Sequence, residues 1–176
     1  NSDWVFISEF AQTPASLMVQ AIDINPNNPE EIIAACGMDY LADDNGRGLW
    51  KSDNGGSSWK KILGPENGFP GVNYGGNLFR VKLGGPCARY HPSVKNRLIT
   101  GTLKNSSGHP EIYISDDNGN SWREVNHNST LTGNTVSIQI HPKFPDEMWV
   151  GTDEGLWITR DNGNTWSEKI FPGQID

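Results

Sequence analysis

Residues 115–122 read SDDNGNSW and residues 159–166 read TRDNGNTW. Both put Ser or Thr first, Asp third, Gly fifth, Ser or Thr seventh and Trp eighth. A third copy, SDNGGSSW at 52–59, keeps the pattern except that Asn54 stands where the others carry Asp117 and Asp161. An internal repeat decides architecture before any single residue does. The spelling is that of a tight turn between two strands. Gly56, Gly119 and Gly163 supply the positive φ that such a turn needs. The hydroxyls of Ser52, Ser115 and Thr159 and the side chains of Asn54, Asp117 and Asp161 can bond the turn's own backbone. Trp59, Trp122 and Trp166 then bury their rings against the sheet.

Each turn is preceded by a short apolar run: GLWKS (48–52), EIYIS (111–115) and GLWIT (155–159). Further upstream lie EEIIAAC (30–36), NRLITGT (96–102) and DEMWVGT (146–152), and before those the turns INP (24–26), YHP (90–92) and IHP (140–142). Aligned without gaps from the proline turn onward, Asn25, His91 and His141 coincide, as do Ala35, Gly101 and Gly151. One unit therefore holds four antiparallel strands, the last opening at the turn tryptophan. Trp59 to Trp122 is 63 residues and Trp122 to Trp166 is 44, the periodicity of propeller blades. The expected fold is all-β: a β-propeller segment of about three four-stranded antiparallel blades plus one orphan N-terminal outer strand. The boundaries read as an orphan strand at 3–8 (DWVFIS), blade 1 at 17–63, a long loop at 64–86, blade 2 at 87–126 and blade 3 at 134–171, together one partial propeller over 1–176.

The totals agree. A chain of 176 residues with 20 Gly, 11 Pro and 7 Trp is turn-rich, and its mean hydropathy of −0.58 is that of a water-exposed protein. A net charge of −7 with 14 scattered Lys and Arg argues against a nucleic-acid partner, which needs a basic stripe. No stretch approaches the roughly 20 apolar residues of a membrane span. Cys36 and Cys87 are too few for a disulfide scaffold and lack zinc spacing; they align with small-residue positions, and an inter-blade disulfide is the alternative. No cofactor motif is present.

These three boxes in their strand context resemble Asp-box (BNR) repeats, found in sialidase-like and oligoxyloglucan-hydrolase propellers and in sortilin-type receptor ectodomains. The resemblance covers nearly all of the chain except 64–86 and implies a secreted or cell-surface protein. It fits both catalytic and non-catalytic proteins. The acidic boxes do not match a calcium loop: counting back from Gly119 puts Ile114 at the first ligand position, so no metal is expected. His91 and His141, in identical His-Pro turns, read as backbone caps.

Function is expected in the loops opposite the boxes. The connection at 37–48 is long and charged, and that at 64–86 is longer than its equivalents. Tyr40, Phe69, Tyr74 and Phe79 are placed to stack on sugar rings. Asp39, Asp43, Arg47 and Arg80 are suited to hydroxyls or carboxylates. Asn105 and Asn128 head glycosylation sequons. A glycoside hydrolase needs two carboxylates about 5–10 Å apart; Asp153, in GTDEGLW, stands where the resemblance to oligoxyloglucan hydrolases implies a catalytic Asp, without the flanking glycine pair. The arginines show no sialidase-type triad in sequence. The reading is a binding or structural module, with a glycoside-hydrolase segment as the alternative. Its expected partners are further blades of a longer chain or further copies of itself, and a polysaccharide or glycan.

Overall fold

Short runs rich in Ile, Leu, Val and Tyr, punctuated by Asn, Gly and Pro, satisfy their backbone by pairing sideways. The computed structural model describes residues 17–38, 48–64, 88–104, 107–125 and 130–169, and every regular element among them is a strand. Strands β1 (Leu17–Ile24), β2 (Ile32–Met38), β3 (Gly48–Ser52) and β4 (Lys60–Leu63) form one antiparallel sheet in chain order. Strands β5 (Ala88–Tyr90), β6 (Leu98–Lys104), β7 (Pro110–Ser115) and β8 (Arg123–Glu124) form a second. Strands β9 (Thr135–Ile140), β10 (Met148–Thr152), β11 (Leu156–Thr159) and β12 (Ser167–Glu168) form a third. The all-β architecture of three four-stranded antiparallel blades is as expected. The orphan strand at 3–8 and residues 65–87 lie outside the described residues.

The register repeats. Asp23 faces Ile33 and Ala35 faces Leu49 in blade 1, as Arg89 faces Ile99 in blade 2 and Gln139 faces Trp149 in blade 3. β1 carries a bulge between Val19 and Ala21. The outer strands β8 and β12 span only two residues each, whereas β4, which follows the equivalent Trp59, spans four.

The core is a pair of layers between blades. One joins Ala21, Ile33, Ala35, Leu49 and Leu63 of blade 1 to Ala88, Tyr90, Leu98 and Tyr113 of blade 2. The other joins Ile99, Ile112, Ile114 and Val125 to Ile138, Met148, Val150 and Trp157 of blade 3. Each fully buried Ile or Leu contributes about 1.5–3 kcal/mol. Each blade thus has one face turned forward to the next blade and one turned back. The first strands β1, β5 and β9 lie side by side as the innermost strands. Close approach explains a glycine: a Cβ on Gly101 would lie 2.6 Å from Thr135 Cγ2 of the next blade.

Candidate functional site

The W-shaped meander puts the β3–β4, β7–β8 and β11–β12 turns at one end, together with the proline turns. The β2–β3, β6–β7 and β10–β11 connections and the links between blades lie at the other. The first end is locked. Ser115 Oγ accepts the Gly119 amide at 2.8 Å and donates to Asp117 Oδ1 at 2.8 Å, and Asp117 accepts the Ser121 amide and hydroxyl at 2.8 and 2.6 Å. Thr159, Gly163, Asp161 and Thr165 repeat the set at 2.9, 2.7, 2.8 and 2.6 Å. In blade 1, Ser52 Oγ accepts the Gly56 amide at 2.8 Å, and Asn54 Oδ1 accepts the Ser58 amide at 2.9 Å. There the last bond runs the other way, with Asn54 Nδ2 donating to Ser58 Oγ. The central turn residues are left-handed: Gly55 and Gly56 at φ 65 and 89, Asn118 and Gly119 at 63 and 90, Asn162 and Gly163 at 57 and 87. Hydrogen bonds from the Ser121 hydroxyl and amide, then Ser115, hold the Asp117 carboxyl below the usual carboxylate range. These carboxylates are occupied by the turn itself, and among the described residues no group of His, Cys, Asp and Glu is placed to hold a metal ion.

Proline-turn residues cap their own turns, as expected, and also reach further. His91 Nδ1 accepts the Ser93 and Val94 amides at 3.2 and 2.9 Å, which places the proton on Nε2. Nε2 then donates to the Pro145 carbonyl of blade 3 at 2.8 Å. Burial pushes the imidazole below its ordinary pKa, more than the Pro145 bond raises it.

At the opposite end Asp153 is the sequence candidate that the structure describes. Its Oδ1 accepts the Asn134 amide and its Oδ2 the Asn134 side chain, each at 2.7 Å. Asn134 Oδ1 in turn accepts the Lys104 amide of blade 2 at 3.0 Å, and Lys104 Nζ pairs with Glu154. Slight burial raises the Asp153 carboxyl, but the Asn134 bonds and Lys104 outweigh it, and the group sits below the usual range. It has no proton to donate near neutrality. The candidates Asp39, Tyr40, Asp43, Arg47, Tyr74 and Arg80, with Phe69 and Phe79, lie outside the described residues, as do Asn105, Asn128 and Cys87. Cys36 is a buried free thiol, pushed up to about 12 by desolvation and therefore unreactive.

The innermost strands hold polar groups that sequence reasoning did not single out. Asp23 Oδ2 accepts the Tyr90 amide of blade 2 at 2.8 Å, and its Oδ1 lies 3.5 Å from Arg89. Arg89 Nε donates to the Ile138 carbonyl of blade 3 at 3.3 Å. Burial raises the Asp23 carboxyl despite the Tyr90 amide and Arg89. The available signal was a polar residue alternating with apolar ones at one aligned position: Asp23, Arg89 and Gln139.

Three consecutive four-stranded meanders joined by their innermost strands define the propeller class. A Niastella koreensis GH74 enzyme is similar to the chain at TM-score 0.63 and 20% identity, over 88% of this chain and 22% of that one. The GH74 xyloglucanase from Xanthomonas campestris gives 0.60 and 16% over 89% and 24%. YCF48 bound to D1 peptide gives 0.53 and 13% over 89% and 42%. The chain spans about a fifth to two fifths of these proteins, and the likeness is one of fold. No protein-family model matches the chain, and no curated protein sequence matches it.

Proposed function

We propose that the chain is part of an extracellular or cell-surface Asp-box propeller that serves as a non-catalytic binding or assembly module, organised with the blade boundaries and orphan strand given above. One observation carries this reading: both oxygens of Asp153, the carboxylate offered for catalysis, are engaged by Asn134 in a clamp between blades 2 and 3. A glycosidase acid needs a raised pKa, and this group is lowered, which speaks against the acid role of the pair. Ligand recognition is assigned to the loops at the Asp153 end, with Asp39, Tyr40, Asp43, Arg47, Tyr74 and Arg80 as contacts and a polysaccharide, glycan or protein segment as ligand. The peptide carried by the YCF48 structure supports protein interaction as a use of this fold.

The test is incubation of the chain with xyloglucan and with sialosides, following both binding by calorimetry and product release. Binding without turnover, unaffected by Asp153→Asn, is expected. Turnover that disappears in Asp153→Asn would replace this reading with the second one, a segment of a glycoside hydrolase, which the fold likeness to two GH74 enzymes favours.

A further inference from the structure

Lys51 of β3 is a charged residue inside an inter-blade layer, its side chain 3% exposed. It stands opposite Ile33 in the ladder, and so shares the face of the sheet that meets blade 2. The aligned residues of the other blades are Ile114 and Ile158, both buried. An ammonium in the place of an alkyl group loses hydration, and it persists in a layer of this kind only where nearby charges offset the loss.

Two flanking positions show which charges these are. The first is Glu31, Arg97 and Glu147 in the three blades, and the second is Asp53, Asp116 and Arg160. In blade 2 the two are opposite in sign, Arg97 lying 2.5 Å from Asp116. In blade 3 they are opposite with the order reversed, Arg160 lying 3.1 Å from Glu147. Both of these blades carry Ile at the layer position. In blade 1 both residues are acidic, and there the layer position carries a base. Lys51 Nζ donates to Asp53 and lies 3.8 Å from Glu31 Oε1, while Lys60 meets Asp53 from the solvent side at 2.9 Å.

Glu31 is also where blade 2 attaches. Its Oε1 accepts from Asn118 Nδ2 at 3.1 Å, and its Oε2 accepts from Asn25 Nδ2 at 2.6 Å. Across the next junction the polarity is inverted: Arg97 Nη1 donates to Asn162 Oδ1 at 3.4 Å. The turn asparagine thus offers its amide nitrogen to an acid in one junction and its carbonyl oxygen to a base in the other. Tyr90 of blade 2 packs in the same layer as Ile33. Burial, with the Glu31, Asp53 and Asp23 carboxylates adding to it, pushes its phenol above the ordinary range. The forward side of blade 1 is therefore an acidic surroundings in which Lys51 is the buried cation.

We propose that Lys51 is an internal counter-ion that latches blade 2 to blade 1: its ammonium offsets the like charges of Glu31 and Asp53 and holds Glu31 in place as the acceptor for Asn118. Lys51 is in this sense a positioning residue, acting on blade 2 through Glu31. The experiment is urea unfolding of the 176-residue protein and its variants. Lys51→Met keeps an unbranched side chain and removes the charge; it should lower the folding equilibrium constant roughly tenfold or more, because two carboxylates lose their shared partner. Lys51→Arg should retain most of the stability. Adding Glu31→Arg to Lys51→Met installs the charge set of blade 2, where Arg97 and Arg123 flank Asp116, and should restore much of the loss. Its recovery is read against wild type even where Lys51→Met alone does not fold. The latch itself is read from Asn118→Gly, which keeps the left-handed turn with the residue that blade 1 has at Gly55. That substitution should cost more in wild type than in Lys51→Met. A Lys51→Met protein as stable as wild type, or no recovery on adding Glu31→Arg, would show that Lys51 merely packs its alkyl stem and would overturn the proposal. An equal cost of Asn118→Gly in both backgrounds would overturn the latch.

Discussion

Gly163 and Gly108 hold the same backbone angle, φ 87, at opposite ends of the blades. Val125 of the preceding blade fills the space beside Gly163, whereas among the described residues nothing lies within 4 Å of a Cβ on Gly108. At the turn end the second and third hairpins are each fastened twice, to their own strand ladder and to the preceding blade. At the other end, the described part of the link between blades 2 and 3 is held by the Asn134 clamp. The lesson is that identical local conformation carries different constraint, and a less constrained position is freer to vary in sequence.

The comparison is tested most severely by Gly163→Ala against Gly108→Ala. The first adds backbone strain and a collision with Val125, together about 2–5 kcal/mol; the second adds strain alone, about 1–2 kcal/mol. Urea unfolding measures both, and equal losses would erase the distinction between the ends. Next in size is Ser115→Ala, which leaves the Gly119 amide without its acceptor and removes the bond to Asp117, for an expected loss of about 1–3 kcal/mol by the same assay.

Acid should act on the turn end in two stages. The His91 pKa is depressed by folding, so the unfolded chain binds the extra proton first. Its contribution is complete above the unfolded value of 6.5 and is lost as pH falls through the lower folded value. Melting temperatures from pH 8 to 5 should decline, and His91→Asn, the counterpart of Asn25, should flatten that decline. Asp117 follows the same sign below its ordinary value of 3.8. The smallest effect belongs to Asp153→Ala at the open end, about 0.5–1.5 kcal/mol for an exposed pair of hydrogen bonds; a loss matching Ser115→Ala would show the Asn134 clamp to be as constraining as the turns.

The turns, the four-strand unit and the all-β class were legible because each is encoded locally: a glycine where φ is positive, a hydroxyl four residues before the amide it accepts, apolar runs of strand length. The contacts between blades were not. His91 and Pro145 are 54 residues apart, and Asp23 and Tyr90 are 67 apart; no window of sequence contains both partners. Alignment of the units did place Asn25, His91 and His141 together, so His91 was recognised as a cap while its second nitrogen, reaching into the next blade, was missed. Asp153 was found from a motif, but that Asn134 would saturate it depends on the path of the chain from blade 2 into blade 3. The aromatic and charged candidates at 39–47 and 65–87 rest on composition and loop length alone.

The two core layers lie one on each side of blade 2, so among the described contacts that blade can open only by losing both. Amide exchange in the 176-residue polypeptide should therefore be slowest in β6 and β7, the strands gripped from both sides like a page between two covers.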